Sequence, residues 1–464
     1  MRVRIKDIRA SFIMIITLIA FFLIAFITSI GGVGVILAFL LFIIICGLFV
    51  YILTNSIEIS TVLATPILLS VFQNVYLGMF SPHLSGTVIQ ILTVLNFLLS
   101  CLIFIFLLRR NPTKGNGGVF TLLITLVFYT MFSVLLLNHI NILSIISSFR
   151  NIISVFLFFL IGVFALRKME LRKFENIIIC FGLIVIAMGI YDVLIGGTLW
   201  RKLNITDLWT KKGIALQPSG LPTNFYSSET INGERIRRMT STFADPVNLG
   251  SFLFAVFGIA WHRNKRIIEI LMIIGMILTI SKGAWLGLLI FMCVYAYYYL
   301  PRPIFFSIMA LSGVLGIAFL VYAFKTSANS VFLHISGLFA SFEGLIRKPL
   351  GSGIGSNGVL AKQFSGFSSN ADVTETGLGM IVSQLGIIGL LIYIIFFKNI
   401  VRWCLSIPDK KDAVLTLSLS ISVIANIFFN EVALSPNTCA TYFLIIGFVI
   451  AKYHFNGSHN INEE

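Results

Sequence analysis

Residues 234–250 read Glu234-Arg-Ile-Arg-Arg-Met-Thr-Ser-Thr-Phe-Ala-Asp245-Pro-Val-Asn248-Leu-Gly250. They close a polar segment of about fifty residues, from Ile195 to Ser251, which separates two long apolar runs. Loops longer than about 12–15 residues are usually functional or disordered. We therefore expect the rest of the chain to be organised around this segment.

The composition indicates a membrane protein. Of the 464 residues, 58% are hydrophobic and only 11% are charged, and the mean hydropathy is +1.00. A soluble domain carries about 25% charged residues. The net charge of +15 does not indicate nucleic-acid binding, because the basic residues cluster at the ends of apolar runs.

The sequence carries no motif for a metal or a nucleotide. Each of the six cysteines lies in or beside an apolar run, and there is no Cys-x-x-Cys or Cys/His cluster. Disulfides and zinc are therefore not expected. A Walker loop and a strand-associated GxGxxG are also absent, so we expect neither a cofactor nor ATP-driven work.

Fourteen apolar runs have the length, or nearly the length, of a membrane span. Lipid admits only helices or closed barrels, and a spanning helix needs about 20 residues. We therefore expect an all-α polytopic membrane protein with about 14 transmembrane helices. Two of the runs, 247–261 and 267–281, are short for a complete span. The others lie at 11–30, 33–53, 61–80, 87–108, 119–138, 145–166, 176–196, 283–300, 304–324, 376–397, 413–430 and 434–451.

The positions of the positive charges predict the orientation. If the N-terminus is cytoplasmic, alternate short loops carry Lys or Arg and the opposite short loops carry neither, as the positive-inside rule requires. Both termini are then cytoplasmic, and two long loops, 197–246 and 325–375, lie outside. These loops separate three helical regions, 1–196, 247–324 and 376–464, the last of which includes a polar cytoplasmic tail.

Three arginines, Arg235, Arg237 and Arg238, crowd the end of the first outer loop. One interpretation is a solvated basic surface that is attracted to anionic lipid headgroups. The alternative is a phosphate or pyrophosphate site, because a guanidinium binds such oxygens in pairs and stays charged when partly desolvated. Their close spacing beside a membrane helix favours a phosphate site.

Two further polar residues lie close to membrane helices. Asp245, directly before Pro246, is either a plain N-cap or a carboxylate that acts as a base or orients an arginine. Lys282, in Ser281-Lys-Gly-Ala-Trp285, interrupts an apolar hairpin. A charge at mid-bilayer costs about 2.5–3.5 kcal/mol, so Lys282 is either an interfacial anchor or a cation in a polar cavity.

The second outer loop carries Arg347 and a glycine-rich run, Gly351-Ser-Gly-Ile-Gly-Ser-Asn-Gly358. The amides of this run would either cradle a phosphate beside Arg347 or form a flexible turn. Farther along, Asp372 and Glu375 precede an apolar run. They are placed either to cap its helix or to deprotonate an acceptor hydroxyl.

Four charged residues lie inside apolar runs or at their edges: Arg150, Asp192, Glu269 and Glu431. Such residues usually face the interior of a helix bundle or a water-filled cavity. Arg150 and Asp192 both fall near the predicted outer ends of their helices.

These motifs follow one another in a particular order. An arginine-rich loop ends in Phe243-Ala-Asp-Pro-Val-Asn-Leu-Gly250, the turn 281–284 reads Ser-Lys-Gly-Ala, and the segments Pro349-Leu-Gly-Ser-Gly and Glu375-Thr-Gly-Leu-Gly follow. This order resembles that of the O-antigen polymerase and ligase superfamily over about residues 235–395. Ligases of that superfamily place a His before the helix that follows the second loop. Residues 369–375 contain no His, and Arg347 and Gly358 fit the Arg-x10-Gly spacing of polymerase loops, so the resemblance favours a polymerase.

The resemblance implies a glycosyltransferase of the GT-C type in the cytoplasmic (inner) membrane. Its activity would transfer a glycan from undecaprenyl pyrophosphate to the next lipid-linked repeat unit at the outer face, making O-antigen, capsule or exopolysaccharide. Its partners would be that lipid-linked oligosaccharide, membrane lipid, a chain-length regulator and a flippase. The alternatives are an O-antigen ligase and a flippase or transporter for the same oligosaccharide. The transporter is less favoured, because the polar residues concentrate at one face and no inverted repeat is evident.

Within this interpretation the candidate residues receive roles. We expect Arg235, Arg238 and Arg347, assisted by Lys282, to bind the pyrophosphate, because fixed cations stabilise the charge that develops on the leaving group. A carboxylate, Asp245 or Glu375, would accept the proton of the acceptor hydroxyl. No metal is expected if these cations neutralise the phosphates.

Overall fold

The structure is a computed structural model that describes residues 2–54, 59–110, 117–137, 141–165, 170–231, 234–358 and 375–455. Within these ranges, eight helices are long and apolar enough to cross a membrane. This confirms the helical membrane architecture that the apolar runs predict. A short two-stranded sheet in the first predicted outer loop is an addition to that prediction.

The described helices follow the apolar runs closely. They are α1 (Arg2–Ser29), α2 (Val33–Thr54), α3 (Ile59–Phe80), α4 (Gly86–Arg110), α5 (Gly117–Ser133), α6 (Ile142–Ala165), α7 (Leu171–Leu194), α8 (Thr198–Lys202), α9 (Ile205–Lys211), α10 (Pro246–His262), α11 (Arg266–Thr279), α12 (Lys282–Tyr299), α13 (Arg302–Arg347), α14 (Gly377–Leu405), α15 (Lys410–Ile427) and α16 (Pro436–His454). The strands are β1 (Tyr226–Ile231) and β2 (Glu234–Arg237).

The chain forms two compact units, and neither is continuous in sequence. The first unit comprises Met1–Arg110 and Arg167–Ala284. The second unit comprises Asn111–Leu166 and Trp285–Glu464. Helices α5 and α6 therefore belong to the same unit as the C-terminal helices, while the first predicted outer loop belongs wholly to the first unit.

In the first unit, α10 and α11 are short, with 17 and 14 residues. Helices of these lengths are roughly 26 and 21 Å long, less than the hydrocarbon thickness of roughly 30 Å. The turn before α10 is buried, since Thr240, Ser241 and Thr242 are all 0% exposed. The loop therefore ends among the helices, where irregular backbone is tolerated because protein surrounds it.

The two strands form a hairpin that leads into this turn. Tyr226 lies opposite Arg237 and Thr230 lies opposite Arg235, with an irregularity between the two pairs. The Arg238 amide then donates to the carbonyl oxygen of Phe225 at 2.8 Å. The hairpin thus fixes the point at which the arginine-rich segment leaves the sheet.

The core of the second unit is aromatic. The rings of Phe156 on α6 and Phe396 on α14 lie 4.1 Å apart, and the ring of Phe159 packs edge-on against Phe396. The hydroxyl of Tyr393 donates to the carbonyl oxygen of Ile152 at 2.6 Å. Helix α14 therefore packs against α6 through aromatic side chains and a buried hydrogen bond.

Helix α13 corrects the expectation for the second outer loop. It has 46 residues and continues without interruption through residues 325–347, which the fall in hydropathy had assigned to a loop. A helix of that length is about 69 Å long, more than twice the roughly 30 Å of a hydrocarbon core. It is therefore longer than one perpendicular span requires, and an irregular segment begins only at Lys348. Residues 359–374 of that loop, including Asp372, lie outside the described residues.

Candidate functional site

Arg238 joins the first outer loop to the end of α11. Its Nε donates to the carbonyl oxygen of Thr279 at 2.8 Å, and its Nη2 donates to that of Ile280 at 3.3 Å. The next amide, of Met239, donates to the carbonyl oxygen of Leu278 at 2.9 Å. The last carbonyls of a helix have no partner within it and attract cations. Arg238 is therefore bound to the α11–α12 turn.

The same turn carries Lys282 and packs on α10. Lys282 is exposed and is the first residue of α12. A Cβ placed on Gly250 would lie 2.5 Å from the Cβ of Ser281, so only glycine allows this approach. The arginine-rich segment, the Asp-Pro-Val-Asn-Leu-Gly motif and the Ser-Lys-Gly-Ala turn, which are separate in sequence, are thus brought together in the first unit.

Arg237 forms a buried ion pair with Asp192. Its Nη2 lies 2.6 Å from Asp192 Oδ1, and the Asp192 side chain is 0% exposed. The Thr240 hydroxyl donates to the other carboxylate oxygen at 3.1 Å. Arg237 also donates to the Asp192 backbone carbonyl at 3.2 Å. Asp192 thus anchors the loop to the end of α7.

The turn between Thr240 and Asp245 has a strained backbone. Ser241 and Ala244 both have φ near +47°, which is unfavourable for residues with a side chain and tends to occur at functional sites. The Asn74 side chain on α3 donates to the Phe243 carbonyl at 2.5 Å and holds the turn in place. The hydroxyl of Thr242 is buried without a hydrogen-bond partner in the described structure.

Asp245 occupies the N-cap position of α10. Its Oδ2 accepts from the Asn248 amide at 3.1 Å and from the Asn248 side chain at 2.5 Å. The residue is 8% exposed. This geometry matches the N-cap interpretation, and a role as base would require the carboxylate to act while it holds the helix end.

Arg235 is placed differently from its neighbours. It lies on β2 and is exposed, and it makes no ion pair within 4.0 Å among the residues that the structure describes. The three arginines of the segment therefore have three surroundings: solvent for Arg235, a buried carboxylate for Arg237 and helix-end carbonyls for Arg238.

In the second unit, Arg347 is in solvent at the end of α13. Its side chain is 76% exposed and lies 2.6 Å from Glu343, one turn earlier on the same helix. Such exposed pairs contribute about 0–1 kcal/mol. The guanidinium is therefore placed by helix geometry and is not fixed by tertiary contacts.

The glycine-rich run does not form a phosphate cradle. The backbone amides of residues 351–356 all donate to protein acceptors within the second unit. Four glycines of the run have positive φ: Gly351, Gly353, Gly355 and Gly358. The run is an ordered turn, and the amides of residues 351–356 are already bound to protein acceptors, so they are not available to a phosphate.

The amides of this turn are bound because it fills a break in α14. Gly386 has φ +59° and ψ −151°, which interrupts the helix. The amide of Ile387 donates to the Pro349 carbonyl at 2.8 Å, and the Gly353 amide donates to the Gln384 carbonyl at 3.1 Å. The turn thus restores hydrogen bonds that the break removes, as interrupted membrane helices require.

Gln384 is the central polar residue of this region, and sequence reasoning missed it. Its Oε1 accepts from the Gly355 amide at 2.9 Å, and its Nε2 donates to the Ser148 hydroxyl at 3.3 Å and to the Asn357 carbonyl. The side chain is 0% exposed. The available signal was Gln384-Leu-Gly386 inside an otherwise apolar run.

Glu375 lies just before α14 but does not cap it. The cap is Thr376, whose hydroxyl accepts from the Gly379 amide at 3.0 Å. The Glu375 carbonyl accepts from the Glu431 amide at 3.0 Å. Glu375 is half-buried, whereas Glu431 is 3% exposed and lies against Gly358. The Glu431 carboxylate therefore meets the end of the glycine-rich turn, and the Glu375 backbone is bonded to Glu431.

Among the residues that the structure describes, no three His, Cys, Asp or Glu side chains come together as metal ligands. No protein-family model matches this chain, and no curated protein matches it. The candidate site is therefore defined by its geometry: Arg238 and Lys282 at one turn of the first unit, with Asp245 at the start of the neighbouring helix.

Proposed function

We propose that this chain is a polysaccharide polymerase of the O-antigen polymerase and ligase superfamily. It would have a GT-C-like fold of about 14 spans in the cytoplasmic (inner) membrane, with both termini in the cytoplasm. It transfers a glycan from undecaprenyl pyrophosphate to a lipid-linked repeat unit at the outer face. The observation that carries the proposal is the attachment of Arg238 to the turn that bears Lys282.

The reaction is a displacement at the anomeric carbon of the donor sugar. An acceptor hydroxyl forms the new C–O bond, the bond to the pyrophosphate oxygen breaks, and undecaprenyl pyrophosphate leaves. Negative charge grows on that oxygen as the bond breaks. Cations that are already oriented stabilise this charge without reorganising. Arg238 is oriented by two carbonyls, and Lys282 and Arg235 add exposed positive charge.

The proton of the acceptor hydroxyl passes to a carboxylate. In the first unit the candidate is Asp245, which is close in sequence to the arginines and is held by Asn248. In the second unit the candidate is Glu375, whose backbone carbonyl accepts from the Glu431 amide. Arg347 is the weakest of the proposed phosphate ligands, because its side chain is 76% exposed and, among the described residues, is paired only with Glu343.

Lys282→Ala tests the proposal most directly, because Lys282 is exposed and its loss should leave the fold intact. We expect at least a tenfold loss of polymer in cells that depend on this chain, since about 1.4 kcal/mol of lost transition-state stabilisation is tenfold in rate. Lys265→Ala is the matched control. Lys265 is also exposed, but it lies directly before the first residue of α11, at the end of that helix that is opposite to Lys282.

The readout separates the competing functions. Polymerase loss leaves single repeat units displayed on the outer surface, whereas loss of a flippase strands them inside. A ligase defect leaves long polymer on its lipid carrier. Equal polymer lengths in Lys282→Ala, Lys265→Ala and the parent would reject the proposed role of the α11–α12 turn.

A further inference from the structure

Helix α6 carries a polar stripe along one face. Its members recur at helical spacing and are all buried, at 0–2% exposure. They are Ser144, Ser147, Ser148, Asn151 and Ser154. Ser144 donates to the Gly355 carbonyl at 2.6 Å, and Ser148 accepts from Gln384. The stripe therefore faces the glycine-rich turn and the break in α14.

Arg150 lies at the edge of this stripe and carries a charge that no carboxylate in the described ranges balances at close range. Its only described side-chain hydrogen bond is a long one, 3.5 Å from Nη2 to Asn151 Oδ1. Its Nε is buried and has no hydrogen-bond partner in the described structure. None of the described carboxylates lies within 4.0 Å of it.

Two other partly buried arginines of the chain each have a carboxylate within 4.0 Å. Arg237 is bound to Asp192 at 2.6 Å, and Arg263 lies 3.6 Å from Glu175. A guanidinium stays charged in proteins, and a charge within a membrane helix is retained where it has a partner or a function. The partner that fits such a guanidinium is an anion with oxygens for its planar fork.

The depth of Arg150 indicates where that anion comes from. Helix α6 has 24 residues and is about 36 Å long, and Arg150 lies about 12 Å along it from Ile142. A bilayer is about 40–45 Å thick with its headgroups. If α6 is centred in a hydrocarbon core of about 30 Å, Arg150 lies about 9 Å inside that core, on the predicted outer side. Arginine side chains reach from such depths toward the headgroup layer.

We propose that the Arg150 guanidinium, at the edge of the polar stripe of α6, binds the phosphate of a membrane lipid. The two sources of that phosphate are an isoprenoid diphosphate and a phospholipid headgroup. The site needs only the lipid phosphate, so it does not depend on glycosyl transfer by the first unit. If the isoprenoid diphosphate is the ligand, the second unit holds a lipid-linked substrate of its own.

Arginine labelling of the unaltered protein tests this proposal. The full chain, purified in a maltoside detergent and phosphate-free buffer, is treated with phenylglyoxal, and modification of Arg150 is followed by peptide mass spectrometry. Undecaprenyl diphosphate, phosphatidylglycerol or the uncharged undecaprenol is added before labelling. We expect at least fivefold protection of Arg150 by a phosphate lipid and none by undecaprenol.

The pattern of protection identifies the source. Protection by undecaprenyl diphosphate alone assigns a substrate site, and equal protection by phosphatidylglycerol assigns a headgroup site. Equal labelling of Arg150 with and without every lipid overturns the proposal. This readout is independent of polymer formation, so it can fail while the proposed polymerase function stands, and the reverse also holds.

Variants provide a second measurement by native mass spectrometry of bound lipid. Arg150→Gln should weaken binding of the protecting lipid at least tenfold, and Arg150→Lys should retain part of it. Arg402→Gln is the control, because Arg402 is an exposed arginine of the same unit near the far end of α14. Unchanged affinity in a folded Arg150→Gln protein would reject the site. If that variant does not fold, the labelling result decides.

Discussion

In the first unit, Arg237 and Arg238 are held by a buried carboxylate and by helix-end carbonyls. In the second unit, Arg347 is 76% exposed, and Arg150 has no carboxylate partner among the described residues. The same side chain therefore builds the fold at Arg237 and Arg238, whereas it is left available at Arg235 in the first unit and at Arg347 in the second. An arginine-rich motif is not by itself a ligand site, because part of its charge is used to fold the loop.

The glycines of the two units show a parallel difference. Gly250 has no Cβ where the α11–α12 turn packs on α10, so it permits contact between two motifs. Gly386 has a backbone conformation that breaks α14 and admits another segment. The first glycine assembles the candidate site, whereas the second creates a polar region inside a helix bundle.

The largest expected effect comes from removing the anchor of the first unit. Asp192→Ala leaves Arg237 without its buried partner, and breaking such a pair costs about 3–5 kcal/mol. Thermal unfolding of the purified protein should show a large fall in Tm. The control Asp207→Ala removes a more exposed partner, 37% exposed and paired with Lys211, and should cost about 0–1 kcal/mol. A similar Tm for both variants would contradict the conclusion that the buried Asp192–Arg237 pair stabilises the fold more than an exposed pair does.

A smaller loss is expected from Gly386→Ala in the second unit. Its φ and ψ of +59° and −151° lie in a region open essentially to glycine, and a residue held there costs about 1–3 kcal/mol. The new Cβ would also meet the Pro349 carbonyl oxygen at 2.1 Å. Thermal unfolding of the purified variant in a series of mild detergents should show this loss of stability as a lower Tm. Gly313→Ala on α13, where no atom lies within 4 Å of a new Cβ, should be neutral or stabilising.

Substitutions of Asp245 distinguish a role as the N-cap of α10 from a role as the catalytic base. Asp245→Ala should cost about 1 kcal/mol of stability through the lost cap, whereas Asp245→Asn should preserve the cap. Polymer length in cells that carry Asp245→Asn then reports on proton transfer, because the stability of the helix end is unchanged. An Asn variant with normal stability and much less polymer assigns the base, and an Asn variant with normal polymer leaves Asp245 as the cap of α10.

The smallest effect is expected at Arg347. Arg347→Ala removes an exposed pair with Glu343, so stability should change by less than about 1 kcal/mol. If Arg347 binds pyrophosphate, polymer length should nevertheless fall, and Glu343→Ala should not reproduce the fall. Unchanged polymer in both variants would leave the cations of the first unit as the proposed ligands.

The sequence predicted the helices well because hydropathy reports burial in lipid. It failed at residues 325–347 because a helix can continue where hydropathy falls. Helix α13 ends at Arg347, two residues before Pro349, as expected because proline disfavours helix in the residue before it. The drop in hydropathy near Lys325 marked a change of environment and not the end of the helix.

The site was predictable in its parts but not in its contacts. The motif order singled out Arg238, Asp245 and Lys282, which lie in the first unit, together with Arg347 and Glu375, which lie in the second. The Arg237–Asp192 pair joins residues 45 positions apart, and no local pattern indicates which of three arginines takes a carboxylate. Gln384 was missed because a single amide in an apolar run has no period, and its side-chain partners come from two distant segments, α6 and the glycine-rich turn.

The discontinuous second unit has a consequence for biosynthesis. Ser148 on α6 is hydrogen-bonded to Gln384, which follows it by 236 residues. At about 5–20 residues per second, a ribosome needs roughly 10–50 s to make that interval. During this delay α6 resides at the insertion machinery or in lipid with Arg150 and a row of serines uncovered. Nascent-chain crosslinking should therefore find α6 in prolonged contact with an insertase, released only when α14 emerges.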